Sequence, residues 1–163
     1  MTPPRPNRLR PPARLLLALA VCALGGCVPF VRRDRYADLE HRMFELVNRH
    51  RAARRLPPLV YDPVLAEIAR RHSLQMARGK APFGHRGFMG RARAVRALRP
   101  AERISENVAM NVFERGASPV MAVKGLVGSR KHRRNLEGDY ALTGVGVARG
   151  PDGAFYYTQL FVR

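Results

Sequence analysis

The order of residues predicts an α/β domain, a three-layer αβα sandwich built around one core. Three observations carry this expectation. Helical patterns occupy the first part of the chain and β-rich runs the last. In Phe155-Tyr156-Tyr157-Thr158-Gln159-Leu160-Phe161-Val162 the apolar residues stand at both parities, whereas a strand buried on one face alone would alternate. A chain of 163 residues suits one core and is short for two. Early helices, late strands and a sheet covered on both faces are satisfied together by helices layered on either side of a sheet.

The first 26 residues stand apart from that domain. Arg5, Arg8, Arg10 and Arg14 make a positive start without an acidic residue, and Leu15 to Gly26 follow as an apolar stretch of twelve. Such a run is too short to cross a bilayer, which takes roughly 20 apolar residues, but it suits the centre of an export signal. It ends in Leu24-Gly25-Gly26-Cys27, which resembles a bacterial lipobox: small residues precede the cut, and the thiol accepts a diacylglyceryl group. The expectation is a signal peptide over 1–26, lipidation at Cys27, a tether over 27–35 and a domain over 36–163. A plain secretory signal, with Cys27 an incidental thiol, is the simpler alternative. Val28 follows the cysteine where lipoproteins kept in the inner membrane commonly carry Asp, so in a Gram-negative cell the outer membrane is the expected address.

Within the domain, Leu39, Met43, Leu46, Val47 and His50 mark one face of a helix from Tyr36 to about Arg54, which Leu56-Pro57-Pro58 ends. Asp62 can cap a second helix with Pro63 in its first turn; Leu65, Ile68, Ala69, His72 and Met76 share a face, and Gly79 stops it. Residues 80–104 hold Gly84, Gly87, Gly90 and Pro100 and read mostly as loop, with one turn of helix around Ala92 to Leu98. Ile104 to Phe113 is a short, mixed candidate strand. A third helix starts at Ser118-Pro119 and runs to Gly128 or Ser129. Leu142 to Ala148 and Ala154 to Val162 form a hairpin around Gly150-Pro151-Asp152-Gly153.

Cysteine and charge narrow the function. Cys22 leaves with the signal and Cys27 is acylated, so the mature domain has no disulfide, thiol nucleophile or cysteine metal ligand. Loss of four arginines takes the net charge from +18 to +14. Arginine outnumbers lysine 27 to 3, which speaks for a GC-rich genome as much as for function. A balance this basic favours acidic partners. Nucleic acid is excluded by export and by the lack of an interleaved aromatic and basic motif. The expected partners are the membrane, through the acyl anchor, and an anionic envelope surface or lipid.

Five histidines remain to be sorted. His41, His50 and His72 lie on helices, where packing or surface roles are usual. His85 and His132 stand in glycine-rich or polar surroundings where helices stop, and Glu106 lies between them beside a buried strand. Neither a His-Glu-x-x-His helix nor a Gly-x-Ser-x-Gly elbow is present. Ser129 and His132 could meet on one turn, but a serine hydrolase also needs an orienting acid and an oxyanion hole.

These residues belong to a longer pattern. It begins at Leu46-Val47-Asn48 with Arg51, then Leu59, Asp62 and Leu65, and continues through Ala69, His72 and Met76 to Phe83-Gly84-His85. Glu106-Asn107-Val108 follows, then Ser129, His132-Arg133 and Asn135-Leu136, then Gly144-Val145-Gly146 and Tyr157-Thr158-Gln159-Leu160-Phe161. In this order and spacing, over about residues 40–163, the chain resembles the CAP superfamily of cysteine-rich secretory proteins, antigen 5 and pathogenesis-related 1 proteins, in its short bacterial form.

The resemblance implies a CAP-type αβα sandwich whose cavity is lined by two histidines and two glutamates. By motif, His85 and His132 match the histidines and Glu106 the first glutamate, while Ser129 stands at the second. Some members bind a divalent metal such as zinc through the histidines, which would make His85 and His132 the metal ligands. Leu126 replaces a usual Trp, Ser105 a usual Gly, and Arg130-Lys131 a Pro-Gly common in bacterial members. Two imidazoles and one carboxylate can hold zinc with one position open; the same trio without metal is a hydrogen-bonded polar cluster. The expected function is a membrane-tethered, non-enzymatic CAP domain of the cell envelope, binding a lipid, peptide or wall-derived ligand in a cleft of His85, Glu106, His132 and Ser129. The alternative is a metal-dependent hydrolase of envelope substrates using the same cleft.

Overall fold

The computed structural model of the protein describes residues 35–163. The expected signal peptide, Cys27 and all but the last residue of the expected tether lie outside the described residues. The domain contains α1 (Ala37–Ala53), β1 (Val60–Tyr61), α2 (Pro63–Ala77), α3 (Phe88–Leu98), β2 (Ile104–Asn111), α4 (Ser118–Gly128), α5 (Arg130–Leu136), β3 (Leu142–Arg149) and β4 (Phe155–Val162). The strands form one sheet in the order β1-β3-β4-β2, with β1 parallel to β3 and the other pairs antiparallel.

The two parities of β4 are buried against different layers, as its doubly apolar run requires. Phe155, Tyr157 and Phe161 join Val145 and Val147 of β3 in a core with Leu39, Met43 and Val47 of α1 and Ala122, Val123 and Leu126 of α4. Leu160 and Val162 face the other way, into a second core with Leu65 and Ala69 of α2 and Val95 of α3. Asp62 caps α2 as its position predicts, accepting from the amides of Val64 and Leu65.

Layer spacing is set by Gly144 and Gly146 of β3. A Cβ on Gly144 would collide with the backbone of Leu65 and Ala66, and one on Gly146 with that of Ala69 and Arg70. Bare backbone here lets α2 lie directly on the sheet. On the opposite side, the buried Arg51 of α1 donates to the carbonyls of Pro57, Leu136 and Gly138, fastening the last turn of α5 and the loop beyond it.

Three elements depart from the expectation. The stretch read as one turn is an eleven-residue helix, α3, started by Gly87 in the left-handed region at φ 79°. Only Ala92 and Val95 of α3 are buried, too few for a clear periodicity. Helix α5 was not foreseen because Leu136 alone is buried among seven residues. Strand β1 has two residues, and its pairing with β3 is a tertiary event.

Candidate functional site

The Glu106-Asn107 pair sits on β2, an edge strand, and its two side chains serve different elements, as the two-residue period of a strand dictates. Asn107 donates from Nδ2 to the carbonyl of His132 at 3.1 Å. Asn135 donates from Nδ2 to the carbonyl of Glu106 at 3.2 Å and to Asn107 Oδ1 at 2.8 Å. Those bonds lock α5 against the strand edge and carry His132 with it. The imidazoles of His85 and His132 come to a centroid separation of 6.4 Å, tilted by 42°.

Glu106 is 1% exposed at its side chain, and both carboxylate oxygens are engaged. Arg91 of α3 grips it as a fork: Nε donates to Oε2 at 2.6 Å and Nη2 to Oε1 at 2.7 Å. His85 Nδ1 donates to Oε1 at 2.9 Å, which leaves Nε2 as the ring nitrogen of His85 able to face an outside partner. Arg91 also donates to the carbonyls of Arg86 and His85, tying the loop before α3 to the same centre.

Sequence reasoning missed Arg91. Its available signal was an arginine six positions after His85, in a stretch where Glu102 and Glu106 are the nearest carboxylates. It also placed His72 among packing residues, and His72 has a more particular part. Buried on α2, it donates from Nε2 to the carbonyl of Gly84 at 2.8 Å, fixing the residue beside His85. Its Nδ1 is buried without a hydrogen-bond partner. Burial and the nearby Arg91 hold the His72 imidazole below the usual histidine range, although the Gly84 bond and Glu106 oppose them. His132 is depressed too, first by burial, then by His85 and Lys131.

Ser129 stands at the N-cap of α5, half-buried, with no side-chain capping bond and no hydrogen bond to His132 or Glu106 among the described residues. His85, Glu106 and His132 are thus brought together, with Ser129 one helical turn from His132. His41 is exposed beside Glu45, and His50 pairs with Glu137 at 2.9 Å; neither belongs to the cluster. A hollow of about 480 Å³ follows α1, lined by Phe44, Glu45, Asn48, Arg49 and Ala52, and includes none of these groups.

The donor set does not fit the zinc site considered from sequence. A catalytic zinc takes three protein ligands, yet Arg91 occupies both oxygens of Glu106 and sets a positive charge beside them. Two imidazoles remain. Among the described residues no group of three or more His, Cys, Asp or Glu is arranged to hold a metal ion.

The family model described as "CAP: Cysteine-rich secretory protein family" matches residues 44–161. The chain belongs to this CAP family. Its domain is similar to an extracellular protein with an SCP domain from Bacillus anthracis, at 28% identity and a TM-score of 0.64, over 78% of this chain and 41% of that one. An outer surface protein from Borrelia burgdorferi shares the fold at 16% identity and a TM-score of 0.66, over 78% of this chain and 94% of that one. A cysteine-rich secretory protein from Staphylococcus aureus does so at 21% and 0.63, over 80% of this chain and 40% of that one. The CAP chain therefore spans about two-fifths of the length of the first and third. Among curated proteins, none matches it significantly. Among the described residues no helix is long and apolar enough to cross a membrane.

Proposed function

We propose that the protein is a lipid-anchored CAP domain of the bacterial cell envelope, binding a lipid, peptide or wall-derived ligand in the His85/His132 cleft without metal or hydrolytic chemistry. The observation that carries this reading is the Arg91 fork on Glu106. It turns the one carboxylate of the cleft into a structural anchor for α3 and the His85 loop, where a metal ligand or general base would need a free oxygen. What the cleft offers a ligand is His85 Nε2, the His132 ring and the Ser129 hydroxyl, flanked by the cations of Arg130 and Lys131. Such a set suits hydroxyl, amide or anionic groups. The anchored, exported location is supported by the Leu24 to Cys27 pattern and agrees with extracellular or surface proteins among the structural neighbours.

The test is histidine-resolved NMR titration of the purified protein with short-chain phosphatidylglycerol and with a wall-derived muropeptide, alongside zinc. One of the first two should move the His85 and His132 resonances saturably while leaving His41 in place. Saturable one-to-one zinc binding, lost in His85→Ala, would overturn the metal-free reading. Absence of any shift with both organic probes would overturn ligand binding of those classes at this cleft.

A further inference from the structure

The described chain enters the domain at Arg35, where the loop joining β2 to α4 holds it. Arg115 of that loop donates from Nη2 to the Arg35 carbonyl at 3.2 Å and to Asp38 Oδ1 at 2.6 Å, with its guanidinium 5.3 Å from the Tyr36 ring centroid. The same loop and its ends are unusually apolar at the surface. Met110, Val112, Phe113 and Val120 are all exposed, Val112 at 75% and Phe113 at 48%. They share this surface with the Arg115–Asp38 ion pair and the exposed Glu114.

Cys27 stands eight residues before Arg35, a contour of at most about 28 Å. A domain of this length has a radius of gyration of about 14 Å, and a sphere with that value is about 36 Å across. A lipid on Cys27 therefore holds the Arg35 side of the domain near the bilayer, because the tether is shorter than the domain is wide. Exposed apolar side chains beside arginine are what a bilayer interface accommodates, with the rings and methyls at the acyl boundary and the cations among the headgroups.

We infer that the β2–α4 loop, through Val112 and Phe113, dips into the membrane surface as a second membrane contact and sets the orientation of the domain. This inference rests on the lipid anchor proposed above. It fixes which face meets the bilayer: the loop at the far end of β2 from Ser105 and Glu106.

The experiment uses the full, processed protein reconstituted into phosphatidylglycerol-containing vesicles. An environment-sensitive fluorophore is placed on Val112→Cys or, as control, on Leu74→Cys of α2 in the other helical layer; the acylated Cys27 does not compete for label. Co-flotation with the vesicles reports the anchor, and quenching by brominated acyl chains reports the depth of the label. The label at 112 should shift to the blue and lose at least half its emission to brominated lipid, while the label at 74 stays unquenched; Phe113→Asp should weaken the quenching at 112. Co-flotation with an unquenched, water-like label at 112 would overturn the inference and leave the anchor standing. A blue-shifted label that brominated lipid does not quench would assign the patch to another copy of the protein and also overturn it. Failure to co-float would overturn both, since no tether would then hold the loop at the bilayer.

Discussion

Glu106 shows how a single neighbour can change the meaning of a side chain. Alone on a strand beside two histidines it reads as a ligand; gripped by Arg91 it is half of a buried ion pair. Removing one partner of such a pair leaves an uncompensated charge and costs about 3–5 kcal/mol. Arg91→Met should therefore lower stability by about 3 kcal/mol in urea unfolding, with much of the loss recovered when Glu106→Gln is added. Equal, additive losses from the two substitutions would show that the pair is not coupled. His72 and His132 give a second residue-scale test. Both are held below the ordinary histidine value of 6.5, so between the depressed and the ordinary value the unfolded chain binds a proton that the native chain does not. Their contribution is fully present above about pH 6.5 and is lost as pH falls below it. The urea midpoint should be flat above pH 7 and decline below 6.5, with a shallower decline in His132→Gln.

At the scale of elements, the approach of α2 to the sheet is decided by Gly144 and Gly146, and α3 starts at Gly87 in the left-handed region. Gly146→Ala forces a methyl into the backbone of α2, and overpacking of this kind costs about 1–3 kcal/mol or more. Gly90 lies within α3 with open space around its Cβ position, so Gly90→Ala should instead stabilise by about 0.5–1 kcal/mol. Thermal unfolding of the two variants should move the midpoint in opposite directions. Helix α5 depends on Asn135 and Asn107 for its seat on β2. Asn135→Ala should raise hydrogen exchange across Arg130–Leu136 and broaden the His132 resonance, while β3 and β4 stay protected.

For the molecule as a whole, charge is a route to an anionic surface that is independent of the proposed lipid anchor. Without residues 1–26 the chain carries +14, and Arg130, Lys131 and Arg134 around His132 are exposed, whereas Arg133 donates to the Val127 carbonyl. Each basic residue at an anionic membrane contributes about 1 kcal/mol, fading within a Debye length. Three exposed cations should thus shift partitioning of unacylated protein toward anionic vesicles by about two decades at low salt, and high salt should erase the shift. Binding indifferent to salt or lipid charge would make these residues an ordinary solvated face. Cys27→Ser should leave the precursor unprocessed and unlabelled by a fatty-acid probe; normal cleavage and soluble release would overturn the anchor.

Much of this was legible in the residues. Where burial writes a period into the chain, as along α1, α2 and both parities of β4, element and layer could be read directly, and the ordered motifs from Leu46 to Phe161 carried the family. The signals thinned where few side chains are buried: α3 with two and α5 with one left no periodicity to read, and β1 exists through its partner. The same limit governs the site. Local sequence placed His85, Glu106 and His132 as candidates because each carries its own chemistry. Only the tertiary structure decided what Glu106 does, because Arg91 reaches it from a different element and a carboxylate's role is set by the charge beside it.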